Sequence, residues 1–289
     1  MITLENDQIK IQVKTKGAEP DSIFSKEFNL EYLWSGDAKF WNKKSPILFP
    51  IVGTLKQNTY YYNNKAYIMT RHGFARDMDF TVTEQSATSA MFTLTDDGNT
   101  YRNFPFPFIL DVAYTIVSNN VEVNYRVTNK GDENMYFSIG AHPAFKVPLD
   151  KKLVYQDYYI EFEQIEDAYK WMVSKSGLIE PTTVPFLINT NILHITKDLF
   201  RNDALVFKYL NSHKVKLKSN KSKHGVEVSY PGFPFLGLWA APGADFVCIE
   251  PWCGIADATT SKQELINKEG INLLTPSQVF QRTWSIRLF

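Results

Sequence analysis

Cysteine is scarce: the 289 residues hold two, Cys248 and Cys253. They lie too close together in the chain to staple a fold of this size, which excludes a disulfide scaffold. Long apolar runs are missing too, since none approaches the roughly 20 residues a membrane-spanning helix needs. The stretch Met1-Ile2-Thr3-Leu4-Glu5-Asn6-Asp7 has no basic region leading into an apolar one, so no signal peptide is expected. These absences predict a cytoplasmic protein with no membrane partner. Net charge is zero, with 31 Lys and Arg against 31 Asp and Glu. A nucleic acid as main partner would demand a positive field that this balance does not supply.

Chemical signatures are absent as well. The chain has no GxGxxG, Walker A or GxSxG segment, so dinucleotide, ATP and nucleophile-elbow chemistry find no support. It has no HxH or HExxH, and the pair Cys248-x4-Cys253 lacks a second pair to complete four ligands. No metal and no cofactor are expected.

Aromatic residues, by contrast, are plentiful: 15% of the chain, comprising 21 Phe, 15 Tyr and 6 Trp. Such side chains suit pleated, half-buried surfaces and also line sites for ring-shaped ligands. Period-two alternation runs from end to end. Leu110–Ile116 and Val121–Val127, joined by Ser118-Asn119-Asn120, predict a hairpin. Ile2–Leu4 and Ile9–Val13 predict another around Asn6-Asp7. Further strands are predicted at 79–83, 90–95, 158–162, 204–210, 226–230, 246–250 and 280–288. Helix signals are few. Ser261-Lys-Gln-Glu264 resembles a capping box and predicts a helix of about two turns before Gly270. The lysine-rich segment His213–His224 reads as an edge strand with a solvated face. No linker or repeat is visible, so one domain over 1–289 is expected: all-β, a large antiparallel sandwich.

Three segments hold titratable residues beside Gly or Pro punctuation and an aromatic. They are Arg71-His72-Gly73-Phe74-Ala75-Arg76-Asp77, Ser138-Ile139-Gly140-Ala141-His142-Pro143-Ala144-Phe145 and Cys248-Ile249-Glu250-Pro251-Trp252. Taken singly, each His is a hydrogen-bonded structural residue as readily as a functional one, and Glu250 a strand-end anchor for backbone N–H groups. Their co-occurrence suits a sugar pocket, where an aromatic face packs on C–H groups and polar groups read hydroxyls. Phe145 and Trp252 are the aromatics expected to face such a sugar.

At these segments the sequence resembles the aldose 1-epimerase (galactose mutarotase-like) family, and within it the LacX-type branch. The matching pieces are Leu48–Gly53, His72–Arg76, Gly140–Phe145 and Ile249–Asp257, in the family's order. The resemblance implies a β-supersandwich of some two dozen strands that acts on a sugar or sugar phosphate without metal or cofactor. It implies that His142 and Glu250 are the catalytic pair, that His72 binds the sugar near its ring and that Asp203 binds a hydroxyl. Galactose mutarotases carry an Arg in a run following the equivalent of Gly53. Here that run reads Thr54-Leu55-Lys56-Gln57-Asn58, so Lys56 or Arg76 is expected to take its place. Arg76 also matches an Arg of hexose-6-phosphate epimerases.

Anomer exchange needs a general acid and a general base at the anomeric centre together. The expected assignment is Glu250 as base on the C1 hydroxyl and His142 as acid on the ring oxygen, its charge sustained by the neighbouring carboxylate. Two other readings share the scaffold: a non-catalytic sugar-binding protein, and a glycosidase with Asp203 as its second carboxylate.

Overall fold

The alternation written along the chain becomes strand almost everywhere. Ile9–Val13 buries every second residue, and Asn120–Asn129 buries Val121, Val123, Tyr125 and Val127 while Glu122 and Arg126 face solvent. The computed structural model describes residues 1–289. It holds twenty-three strands, one short α-helix (Gly98–Asn103) and four single 3-10 turns. No helix is long and apolar enough to cross a membrane.

Fifteen strands form one antiparallel sheet. Its path starts at Ile47–Leu48 and passes through Ile139–Ala141, Phe246–Cys253, Phe235–Trp239, Leu205–Lys208 and Tyr158–Val173. It continues through Lys214–Ser219, Ser222–Ser229, Val279–Leu288, Asn120–Asn129, Phe108–Val117, Ser89–Thr95 and Thr81–Gln85. A four-stranded sheet from residues 2–31 and two hairpin-sized sheets complete the architecture. One core cluster of 71 buried residues draws on the chain from Leu4 to Leu288. A smaller cluster of eight, including Leu48, Val206, Phe235 and Trp252, lies beside the cavity described below.

Three local expectations change. The segment after Ser261 forms only a single 3-10 turn, Leu265–Asn267, because the chain at Glu264 and Lys268 is extended. The true capping box lies at Asp97, whose carboxylate accepts from the N–H groups of Asn99 and Thr100 and opens the α-helix. The lysine-rich segment is no edge: Lys214–Ser219 pairs with Tyr158–Phe162 on one side and with Ser222–Ser229 on the other. Carboxylates on the flanking strands neutralise its lysines. Lys214 lies 3.3 Å from Glu163, and Lys216 3.7 Å from Glu161 and 3.9 Å from Glu227.

The long strand Ile179–His194 carries no clear period, because Pro181 and Pro185 interrupt it. Its one strand partner is Tyr158–Val173, apart from an isolated bridge between Ile179 and Ala258, and an edge position is where proline is tolerated in a sheet. Val173, Gly177 and Ile179 at the turn of this hairpin line the cavity described below.

Candidate active site

A cavity of about 410 Å³ opens over the first strands of the large sheet. Its floor is the strand Phe246–Cys253, buried along its whole length. Strand pleating sends Cys248, Glu250 and Trp252 to one face and Val247 and Ile249 to the other. The partner chain on one side is broken in two: Ile139–Ala141 pairs Gly140 with Trp252, and Ala144–Lys146 pairs Ala144 with Cys248. His142 falls in the break, at the register position opposite Glu250, and Pro143 supplies no N–H to continue the ladder. The result is a cross-strand contact of 3.2 Å between His142 Nε2 and a Glu250 carboxylate oxygen, with both side chains at least nine-tenths buried.

Burial governs the protonation of this pair. It pushes the His142 imidazole down to about 3, with Arg71 and Arg76 acting in the same direction. It pushes the Glu250 carboxyl well above its usual range, only partly opposed by Arg71. The charged imidazole expected from carboxylate proximity is therefore corrected: desolvation outweighs the neighbour. Both shifts favour the form in which the carboxyl is protonated and the imidazole is neutral.

His72 reaches the cavity from the other side. Its Nδ1 accepts the Gly53 N–H at 3.1 Å, and its own backbone N–H donates to the Gly53 carbonyl at 2.9 Å. With Nδ1 occupied as acceptor, a neutral imidazole carries its proton on Nε2 and presents a donor. Burial, with His142, Arg71 and Arg76 behind it, holds that ring neutral. The segment has an unusual backbone to achieve this: His72 itself sits at φ +70° and Gly73 at φ +73°. A side chain at Gly73 would place its Cβ 2.2 Å from the Phe49 carbonyl oxygen, so only glycine fits.

Tryptophans line the remaining walls. Trp41 stacks on His142 with ring centres 4.9 Å apart and planes 28° apart. Trp239 meets the same imidazole edge-on at 5.7 Å. The indole of Trp252 lies flat across its neighbours' glycines: a Cβ at Gly140 would come within 2.7 Å of the ring, and one at Gly237 within 2.5 Å. Gly237→Ala is therefore expected to destabilise the protein by about 1–3 kcal/mol through overpacking, read by thermal denaturation. A stability equal to wild type would show that Trp252 can shift freely.

Charged groups stand toward the mouth. Arg71 lies 3.3 Å from Asp203, whose carboxylate also accepts the Ala204 N–H at 2.7 Å. Arg76 donates to the Arg71 carbonyl at 2.9 Å, and Arg201 completes the rim.

Of the residues singled out in the sequence, His142, Glu250, His72, Arg76, Asp203 and Trp252 all line this cavity. Two do not. Phe145 is wholly buried in the main core, because its pairing with Val247 turns it to the sheet face opposite the cavity. Lys56 is drawn away by a 3-10 turn: its backbone N–H donates to Asp257 and its ammonium to the Ser261 carbonyl. The cationic side chains at the cavity are Arg71, Arg76 and Arg201 instead. Arg71 was legible beside His72. Trp41, Trp239 and Arg201 carry no local signal, since nothing in their flanking residues distinguishes them from core or surface.

Comparison with known proteins places the chain in a family and its fold among solved structures. A family model described as aldose 1-epimerase matches residues 1–270. The plasmid-encoded protein LacX of Lactococcus lactis subsp. lactis is 32% identical over 99% of both chains. The crystal structure of a galactose mutarotase related enzyme from Lactobacillus acidophilus superposes with a TM-score of 0.96 at 34% identity, covering 100% of this chain and 97% of that one. A galactose mutarotase-like protein from Lactobacillus casei ATCC 334 superposes with a TM-score of 0.94 at 31% identity, covering 100% of both.

Proposed function

The chain belongs to the aldose 1-epimerase family, and from that premise we propose that it interconverts the α and β anomers of an aldohexose or its phosphate. The observation that carries this reading is the buried 3.2 Å contact between His142 and Glu250 on the cavity floor.

Ring opening moves one proton onto the ring oxygen and takes another from the C1 hydroxyl. The resting pair supplies both functions from a single proton. That proton crosses from Glu250 to His142, leaving a carboxylate and an imidazolium. Glu250 then accepts the C1 hydroxyl proton while His142 delivers its own to the ring oxygen. The ring opens to the free aldehyde, and the pair is back at its starting state, with the proton on Glu250 and a neutral His142. Rotation about C1–C2 exposes the other face of the carbonyl, and the same steps in reverse close the ring. Neither a covalent intermediate nor a redox step enters.

The other groups position the sugar. The His72 Nε2–H is a fixed donor for the ring oxygen or an adjacent hydroxyl. Trp41, Trp239 and Trp252 offer faces and edges for the apolar C–H surface. Asp203, held by Arg71, reads hydroxyls, and the three arginines accommodate a phosphate when the substrate bears one. With Asp203 already engaged by Arg71 and its own backbone neighbour, it is poorly placed to serve as a glycosidase's second acid.

The pH profile follows from the protonation described. A second proton on the pair requires protonating His142, whose imidazole is depressed from 6.5 to about 3. The acid limb of the rate is therefore expected near pH 3 and not near 6.5, so kcat/KM should be flat between pH 5 and 7. An inflection at 6.5 would show that the reacting imidazole is solvated. The activity itself is tested by NMR saturation exchange between anomers, across a panel of aldoses and their 6-phosphates. Exchange with none of them above the spontaneous rate would overturn the reading.

A further inference from the structure

Cys248 takes no part in the proposed reaction, is wholly buried and forms no disulfide. It precedes Glu250 by two residues on one strand, so its side chain shares the cavity-side face with the carboxylate. A ring nitrogen of His142, Cys248 Sγ and a Glu250 carboxylate oxygen all lie within 4.8 Å of one another. The sequence discounted metal binding because these residues have no ligand spacing in the chain. Sheet register creates the cluster that spacing could not reveal.

We propose that His142, Cys248 and Glu250 form an inhibitory binding site for a zinc-class divalent cation. Imidazole, thiolate and carboxylate are the three ligand types that zinc takes, and three protein ligands leave a fourth position open toward the cavity. A tetrahedral ion with ordinary zinc bond lengths needs ligand atoms about 3.3–3.6 Å apart. The His142–Glu250 pair already stands at 3.2 Å, and Cys248 Sγ has to close in by about 1.2–1.5 Å at most. A dication neutralises the thiolate and carboxylate that bind it, and these groups give up their protons to solvent as it enters. The ion removes the shared proton on which anomer exchange depends. Magnesium and calcium, which prefer six or more oxygen ligands, are not accommodated.

The inhibition rests on the proposed function; the binding does not, and the test separates them. EDTA-stripped protein is titrated with cobalt(II), and a thiolate-to-cobalt charge-transfer band is expected to saturate at one equivalent. Cys248→Ala and Cys248→Ser should lose the band, while Cys253→Ala should keep it. In the exchange assay zinc should inhibit the wild type reversibly, with EDTA restoring the rate and magnesium without effect. Cys248→Ala should exchange at the wild-type rate while its zinc affinity falls about a hundredfold, as loss of one of three protein ligands implies. A wild-type titration without the band, or zinc inhibition unchanged in Cys248→Ala, would overturn the site. A cobalt band that depends on Cys248 in a protein without exchange activity would uphold the site and defeat the proposed function.

Discussion

Glu250→Gln is expected to slow anomer exchange by about 10²–10⁴-fold, the usual worth of a positioned general acid or base. The amide matches the carboxyl in shape but neither stores the proton that His142 needs nor accepts the one leaving the C1 hydroxyl. Folding should survive. The Glu250 carboxyl titrates in the folded protein well above its ordinary 4.5. The folded state thus binds this proton more tightly than the unfolded chain. Its contribution is fully present below pH 4.5 and is lost as pH rises through the folded value. Glutamine has no proton to lose, so the variant should be at least as stable as wild type at pH 7, with less dependence on pH above 4.5. Anomer exchange by NMR and thermal denaturation across pH read the two halves separately. Full exchange activity in Glu250→Gln would remove Glu250 from the mechanism.

The second large effect is expected away from the cavity floor, at Lys268→Met. Lys268 and Asp257 pair at 2.8 Å with both side chains 3% exposed. Burial lowers the Lys268 ammonium below its ordinary value, and Asp257 opposes that only in part. Removing the lysine leaves a buried carboxylate without its counter-ion, at a cost of about 3–5 kcal/mol. The cost should appear as a lower urea midpoint with an unchanged slope. The pair also ties the cavity rim together. Asp257 accepts the Lys56 N–H, its own N–H donates to the Thr54 carbonyl, and its carbonyl accepts the Ile179 N–H. These bonds brace the loop that follows Gly53, whose backbone holds His72. Replacing both partners at once, in Asp257→Leu with Lys268→Met, should cost less than the single change, because no uncompensated charge remains. A loss below about 1 kcal/mol in Lys268→Met would mean that Asp257 gains water or another partner.

Legibility divided along a physical line. The hairpin Phe108–Val117 with Asn120–Asn129 was readable because a half-buried antiparallel strand writes its two faces into consecutive residues. Val279–Leu288 was readable for the same reason. The edge strand Ile179–His194 was not, since only three of its sixteen residues are buried and no burial period is imposed on the rest. The lysine ladder showed its solvated face but not its neighbours, because a row of lysines looks the same at an edge and between two carboxylate-bearing strands. Phe145 was assigned to the sugar because it stands near His142 in the chain. The pleat sends residues an odd number of positions apart to opposite faces, and the three-residue step from His142 decided against it.

The sequence by itself determined the all-β class, the strands that alternate, and the segments where His72, His142 and Glu250 meet their glycines and prolines. These are local properties, carried within a few residues of each other. The register that sets His142 opposite Glu250 came only from the tertiary structure, as did the position of Cys248 beside them and the tryptophans that enclose them. So did the protonation of the pair: proximity alone argued for a charged imidazole, whereas its nearly complete burial makes the neutral form the stable one. Pairing between strands distant in the chain, and the loss of water that follows from it, are not written in any short stretch of residues.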